Sequence, residues 1–160
     1  LSIHRLVSAY NLINLDLDSS FNSNSSWCSG LSGHLIVLSY LSQVFPEYRF
    51  DGEKIISNIM SSCHLDAKSD LYFCCGLSGV YASLLYISLQ HNTSFPPSFF
   101  SWFPELKEHI INSFSSRLSR SSYELMKPSL LDGFSIFPFL VSNSLKHLNV
   151  LQSILLFKSW

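Results

Sequence analysis

The residues of this chain best suited to chemistry are three cysteines in two copies of one glycine motif. Cys28 lies in WCSGLSG (residues 27–33), and the adjacent Cys74 and Cys75 open CCGLSG (residues 74–79), 46 residues after the first copy. Thiolates are favoured ligands of zinc, and three of them leave the fourth tetrahedral position free, which is usual for catalytic zinc. The spacing predicts a zinc site formed by Cys28, Cys74 and Cys75.

Each of these cysteines has a plainer interpretation as a small buried hydrophobe. Their occurrence in two matched glycine motifs favours the metal site over that interpretation. Reduced thiols are predicted, because a disulfide between adjacent cysteines is strained and a chain of 160 residues with 47% apolar content does not need disulfides. Cys63 and His64 form another chelating pair by type, but they lie outside the glycine motifs, and a surface or packing role is expected for them.

Helices must position these motifs, since apolar residues recur at helical spacing and no strand-like alternation is sustained. Each cysteine motif precedes a mostly apolar helix, which predicts an inner helix followed by a more polar outer one. The motif cysteines would then lie near helix N-termini, where the helix dipole favours thiolate. Helices are predicted over 3–13, 32–44, 52–61, 78–89 and 105–118, with loops over 14–26 and 66–71 and proline breaks at Pro46 and at Pro96-Pro97.

The glycine pattern occurs a third time in SLLDGFSI (residues 129–136), where Gly133 follows Gly76 by 57 residues and Ile136 replaces the second glycine. Repetition at this spacing is typical of stacked supersecondary units. The sequence therefore predicts an all-α fold of about three helical hairpins, arranged as part of a toroid or solenoid.

Composition excludes some partners. A net charge of −1 gives no electrostatic reason to expect nucleic acid or an anionic membrane as partner, and polar residues interrupt every apolar run before the ~18 residues that span a bilayer. The chain begins with Leu1 and shows no secretory signal, so it is expected to be a fragment of a longer protein.

With these motifs the chain resembles the lanthionine synthetase C-like family, which includes the cyclase domain of bifunctional lanthipeptide synthetases. The family pattern has Trp-Cys-x-Gly, then Cys-His-Gly one repeat later, and finally Leu-Leu-x-Gly. Residues 27–30 match the first, residues 74–76 match the second with Cys75 in place of histidine, and residues 130–133 match the last. The resemblance covers essentially all of residues 1–160, as the C-terminal portion of the cyclase domain.

This resemblance implies an α/α toroid and a cytoplasmic enzyme with zinc bound by Cys28, Cys74 and Cys75. Its substrate would be a ribosomal precursor peptide, in which a cysteine thiolate adds to dehydroalanine or dehydrobutyrine to form a thioether (lanthionine) ring. Ser29 and His34 are candidate substrate-facing residues, although a core or rim position is the plainer expectation for His34. The family's acid/base histidine lies in an upstream repeat, so no catalytic residue is assigned here, and another chain could supply the missing repeats.

Two other function classes stay open. The chain could be a non-catalytic relic or scaffold that keeps the fold and binds a peptide or a partner protein. It could also be another α/α toroid, such as a glycosidase or a prenyltransferase subunit, but glycosidases need paired carboxylates and the acidic residues lie mostly outside the glycine motifs. A cluster of aromatic residues at 95–103 could grip a peptide, although packing across a hairpin loop is expected.

Overall fold

The computed structural model describes residues 24–45, 49, 51–66, 69–90 and 93–119. These ranges contain four helices and no strand, which confirms the predicted all-α class: α1 (Leu31–Val44), α2 (Gly52–Ser62), α3 (Leu77–Ser88) and α4 (Phe99–Ser119). The predicted helix over 3–13, most of the predicted loop over 14–26 and the third glycine repeat at 129–136 lie outside the described residues. Within the described ranges, every helix is too short or too polar to cross a lipid bilayer.

The helices α1 and α3 form the interior of the described part. α3 is buried around almost its whole circumference, as expected for a helix that is apolar on all sides. α1 buries Leu35, Ile36 and Leu38, and it packs directly against α3. Both helices begin one residue before the predicted position, immediately after a glycine in extended conformation.

The helices α2 and α4 lie outside this pair. α2 is amphipathic and buries Ile55, Ile56 and Ile59 on one face. Its N-terminus is capped by Asp51, whose side chain accepts a hydrogen bond of 2.9 Å from the backbone N–H of Lys54. α2 packs on α1, α4 packs on α3, and the two outer helices also contact each other. The described chain is therefore two adjacent helical hairpins, each with an inner and an outer helix, as predicted.

One predicted boundary is wrong: α4 begins at Phe99 instead of residue 105 and contains Pro104. A proline this close to a helix N-terminus removes only one hydrogen bond, which packing can offset. Phe99 is buried and stacks on Phe103 with ring centroids 5.0 Å apart, and Phe103 stacks on Tyr81 of α3 at 4.8 Å. The aromatic cluster thus packs mainly as predicted, but it does so from a helix.

Candidate metal centre

Two loops with the same backbone contacts precede the inner helices: the first glycine loop (residues 24–33) and the second glycine loop (residues 70–79). In the first, the N–H of Leu31 donates to the carbonyl oxygen of Asn24 at 2.9 Å, and in the second the N–H of Leu77 donates to that of Asp70 at 2.8 Å. The two donors, Leu31 and Leu77, are 46 residues apart, and so are the two acceptors, Asn24 and Asp70. The sequence repeat is therefore also a structural repeat.

A serine side chain closes each loop in the same manner. The hydroxyl of Ser32 donates to the carbonyl oxygen of Ser25, and that of Ser78 donates to the carbonyl oxygen of Leu71, both at 2.5 Å. The second of these bonds is fully buried, and the first is partly buried. These bonds satisfy backbone carbonyls next to the core, where an unpaired polar group is costly.

The glycines are required because the chain folds back on itself. A Cβ atom on Gly33 would collide with the carbonyl oxygen of Trp27, and one on Gly79 would collide with that of Phe73. Trp27 and Phe73 are themselves equivalent residues of the two loops, and their rings pack together with centroids 4.9 Å apart. Close approach at the glycines therefore folds each loop tightly, and the contact between Trp27 and Phe73 places the two loops side by side.

The thiols of Cys28, Cys74 and Cys75, here called the thiol cluster, meet at this contact. The backbone N–H of Cys28 donates to the carbonyl oxygen of Cys74 at 3.2 Å, which joins the loops directly. The Cys28 and Cys75 sulfurs are 3.4 Å apart, those of Cys75 and Cys74 are 3.5 Å apart, and all three lie within 4.8 Å of one another. The structure thus brings together the three predicted ligands.

The thiol cluster fits a tetrahedral metal ion. Zinc bonds to three thiolates of about 2.3 Å require the sulfurs to be about 3.8 Å apart. The separations of 3.4 Å between Cys28 and Cys75 and of 3.5 Å between Cys75 and Cys74 differ from this value by only a few tenths of an ångström. Soft thiolate donors suit zinc better than hard cations such as Mg²⁺. Cys28 and Cys75 are exposed, which leaves room for a fourth ligand from outside. In the described part of the chain, no other group of His, Cys, Asp or Glu side chains has this proximity.

The thiols also affect one another electrostatically. A hydrogen bond from Cys74 is the main reason that the pKa of Cys28 lies below its ordinary value. The pKa of Cys74 is raised to about 12, first by its hydrogen bond to Cys28, then by burial and by Cys75. One thiolate therefore forms readily and the next only with difficulty. A cation bound by all three sulfurs would offset this repulsion and displace the remaining protons.

The fourth cysteine differs from these three. Cys63 is only 7% exposed, and burial raises its pKa to about 11. It belongs to the hydrophobic core and lies outside the thiol cluster, so of the two roles predicted for it, surface or packing, the structure shows packing. Its neighbour His64 is exposed and also lies outside the cluster.

The two predicted substrate-facing residues have different positions. Ser29 is exposed beside the cluster, with its hydroxyl 3.8 Å from the Cys28 sulfur and 3.3 Å from the side-chain amide nitrogen of Asn24. His34 is half-buried on the first turn of α1, where its backbone N–H donates to the carbonyl oxygen of Gly30. Its side chain does not join the thiol cluster. Whether either residue faces a substrate stays a prediction.

An open cleft of about 310 Å³ adjoins the thiol cluster, and Cys75 forms part of its wall. Most of its other lining residues belong to the segment that connects α2 to α3, including His64, Asp66 and Asp70. Ser25 of the first glycine loop and Leu77 of α3 complete the walls. Sequence reasoning treated residues 66–71 only as a loop. The 46-residue repeat carried a usable signal, because it places Asp70 in the position equivalent to Asn24, at the start of a cysteine-bearing loop.

A family model described as lanthionine synthetase C-like protein matches residues 8–142, a range that contains both glycine loops and the whole thiol cluster. No curated protein and no solved structure showed significant similarity to the chain.

Proposed function

Because the chain belongs to the lanthionine synthetase C-like family, we propose that it forms thioether rings in a ribosomally made precursor peptide, with zinc bound by Cys28, Cys74 and Cys75. The observation that carries this proposal is the thiol cluster, in which three sulfurs from two distant loops lie within 4.8 Å of one another. Three thiolate donors with an open side are typical of a catalytic zinc site rather than a structural one.

The proposed reaction is an addition and needs no oxidant or reductant. The S–H bond of a peptide cysteine breaks, its sulfur bonds to the β-carbon of dehydroalanine or dehydrobutyrine, and the carbon–carbon π bond is consumed. The proton ends on the α-carbon, so all atoms of both partners stay in the product. When bound, zinc supplies a Lewis acid that keeps the substrate thiol in its reactive thiolate form at neutral pH.

The chain's own residues hold and orient the reacting groups. Cys28 and Cys74 precede α1 and α3, whose N-terminal dipoles favour anions at this end of the hairpins. The exposure of Cys28 and Cys75 gives a peptide access to the centre from outside. The Ser29 hydroxyl lies within reach of the Cys28 sulfur, where it orients this ligand.

The metal site is tested by elemental analysis of the purified chain. About one zinc per chain is expected, as for a single tetrahedral site, with loss of zinc in Cys28→Ala, Cys74→Ala and Cys75→Ala. Cys63→Ala is the matched control, because it removes a thiol outside the cluster and should retain the metal. A folded chain without zinc would contradict the cyclase mechanism and favour a peptide-binding scaffold.

Ring formation is tested with a synthetic peptide that contains one dehydroalanine and one cysteine. Cyclisation leaves the peptide mass unchanged but removes the free thiol, so alkylation followed by mass spectrometry separates product from substrate. The zinc-loaded chain should protect the peptide from alkylation in a time-dependent manner, and Cys75→Ala should not. Equal rates for the two proteins would count against the proposal.

Two expectations about the cellular context stay predictions. A cytoplasmic location is tested by cell fractionation. A second chain that supplies further helical repeats is tested by identifying proteins that co-purify with this one and asking whether they raise the rate of ring formation.

A further inference from the structure

The cleft beside the thiol cluster is lined by both apolar and acidic side chains. Its inner wall includes Cys63 and Leu77, which are 7% and 5% exposed and offer apolar surface. Its rim carries the carboxylates of Asp66 and Asp70, which are both exposed. A cavity of about 310 Å³ lies at the lower end of the range for small-ligand sites, about 300–1,000 Å³, and accommodates a long side chain with adjacent backbone.

Hydrogen bonds hold the rim of the cleft in place. The Ser69 hydroxyl lies 2.6 Å from the carbonyl oxygen of His64 and 3.1 Å from a carboxylate oxygen of Asp66. The carbonyl oxygen of Asp66 is 3.1 Å from the Nε2 atom of His109 on α4. Asp70 is held through its carbonyl oxygen, which accepts from Leu77. These bonds fix the backbone at Asp66 and at Asp70, which limits the entropy lost on binding.

Among the described residues that line the cleft, Asp66 and Asp70 supply negative charge. No lysine or arginine occurs among the described residues that line it. A divalent ion bound by three thiolates would itself carry one net negative charge, and Cys75 belongs both to this centre and to the wall of the cleft. The negative charges of these described groups favour cations over anions in the cleft.

From this geometry we infer that the cleft binds the side chain of a lysine or arginine next to the reacting cysteine of the peptide substrate. The aliphatic stem lies along Cys63 and Leu77, and the charged group reaches Asp66 and Asp70, in the way that long basic side chains bury their stems and keep their charge at a polar rim. This inference rests on the proposed function, since the peptide cysteine at the metal places the neighbouring residue at the cleft.

The test uses the full chain loaded with cobalt(II), whose thiolate charge-transfer band reports the arrival of an additional sulfur ligand. Three short capped peptides are titrated: Ala-Lys-Cys-Lys-Ala, the same peptide with norleucine in place of lysine, and the same with glutamate. The lysine peptide should bind about tenfold more tightly than the glutamate peptide at low salt. Added salt should reduce this ratio, because the rim is exposed to solvent.

Two variants then test whether the cleft causes the preference for the lysine peptide. The double variant Asp66→Asn, Asp70→Asn retains the shape of both side chains and should lower the ratio to about twofold or less. Glu53→Gln is the matched control, because it removes an exposed carboxylate of α2 outside the cleft. In this control, the ratio of the affinities for the lysine and glutamate peptides should equal that of the unchanged chain.

The outcomes separate this inference from the proposed function. Equal affinities for the three peptides, with a normal charge-transfer response, would overturn the basic-residue preference while thiol coordination stands. A preference that persists in the double variant would overturn the assignment to Asp66 and Asp70. A missing charge-transfer response to every peptide would overturn both the inference and the proposed function.

Discussion

The two glycine loops share a backbone and differ in chemistry. Both form the same N–H bond to a carbonyl oxygen seven residues earlier and the same serine bond to a backbone oxygen. The first loop has Ser29 where the second has Cys75, and it begins with the amide Asn24 where the second begins with the carboxylate Asp70. A repeated backbone can thus supply one thiol of the cluster in one copy, and two thiols beside a cleft with two carboxylates in the other.

Equivalent residues of the two loops also meet in space. Trp27 packs on Phe73, and the backbone of Cys28 bonds to that of Cys74. This arrangement follows from the direct packing of α1 on α3. The comparison indicates that the repeat builds the site by placing two copies of one loop next to each other, with chemistry assigned by only a few substituted positions.

The largest expected effect tests the shared backbone. Gly79→Ala should lower the free energy of unfolding by at least about 3 kcal/mol, because the added methyl group collides with a backbone carbonyl rather than with a movable side chain. Gly33→Ala should have a similar effect, and the exposed Ser57→Ala should have little. Urea denaturation measures all three. A loss below about 1 kcal/mol at either glycine would show that the loops are not held as closely as described.

The next effect tests the chemical difference. Cys75→Ser gives the second loop the Cys-Ser pair of the first and removes one thiol, a proposed zinc ligand, from the thiol cluster. Zinc affinity should fall by at least about 100-fold, since loss of a ligand exceeds the 10–100-fold cost of losing a residue that supports one. Competition with a chromophoric chelator measures this change. Zinc affinity within threefold of that of the unchanged chain would exclude Cys75 as a ligand.

The reverse change sharpens the comparison. Ser29→Cys gives the first loop the Cys-Cys pair of the second and places a fourth thiol beside the Cys28 sulfur. Four thiolates make a closed, structural type of site. Zinc should bind about tenfold more tightly while ring formation is lost. Tighter zinc binding with undiminished ring formation would argue against an open fourth position as the site of substrate binding.

A smaller effect concerns the two serine bonds. Ser78→Ala should lower the free energy of unfolding by about 2 kcal/mol and Ser32→Ala by about 1 kcal/mol, because each leaves a backbone carbonyl without its serine donor and the Ser78 bond is the more deeply buried. Thermal and urea unfolding of both variants measure the difference. The opposite order would mean that burial does not decide the strength of these equivalent bonds.

The last effect is absent at neutral pH and concerns the cysteine outside both loops. The pKa of Cys63 is raised from its ordinary value of 9.0 to about 11, so the folded state favours the neutral thiol. The stability that this thiol contributes is therefore fully present below pH 9 and is lost as the pH rises from 9 to 11. Urea denaturation across this range should show a shallower decline for Cys63→Ala than for the unchanged chain. Parallel declines would contradict burial of this thiol.

The local sequence pattern was sufficient to predict three of the four described helices. The apolar spacing predicted the helices around residues 32–44, 52–61 and 78–89 to within one residue at each end, because their boundaries coincide with glycine loops or capping residues. The sequence predicts the start of α4 at residue 105 instead of Phe99, because a proline at position 104 by itself indicates a helix boundary. The tertiary contacts that accompany the earlier start of α4 are the stacking of Phe99 on Phe103 and of Phe103 on Tyr81 of α3.

By itself, the sequence determined the residue types of the site: three thiols, the glycines that permit close approach, and a 46-residue repeat that makes the two loops alike. The repeat also predicted that Cys28 meets Cys74 and Cys75, as the structure shows. Tertiary structure alone decided that Cys63 lies in the core rather than at the surface, and that Asp66 and Asp70 border a cleft beside the thiol cluster. The physical reason is that local pattern acts within one helix or loop, whereas contacts between loops depend on how α1 and α3 pack.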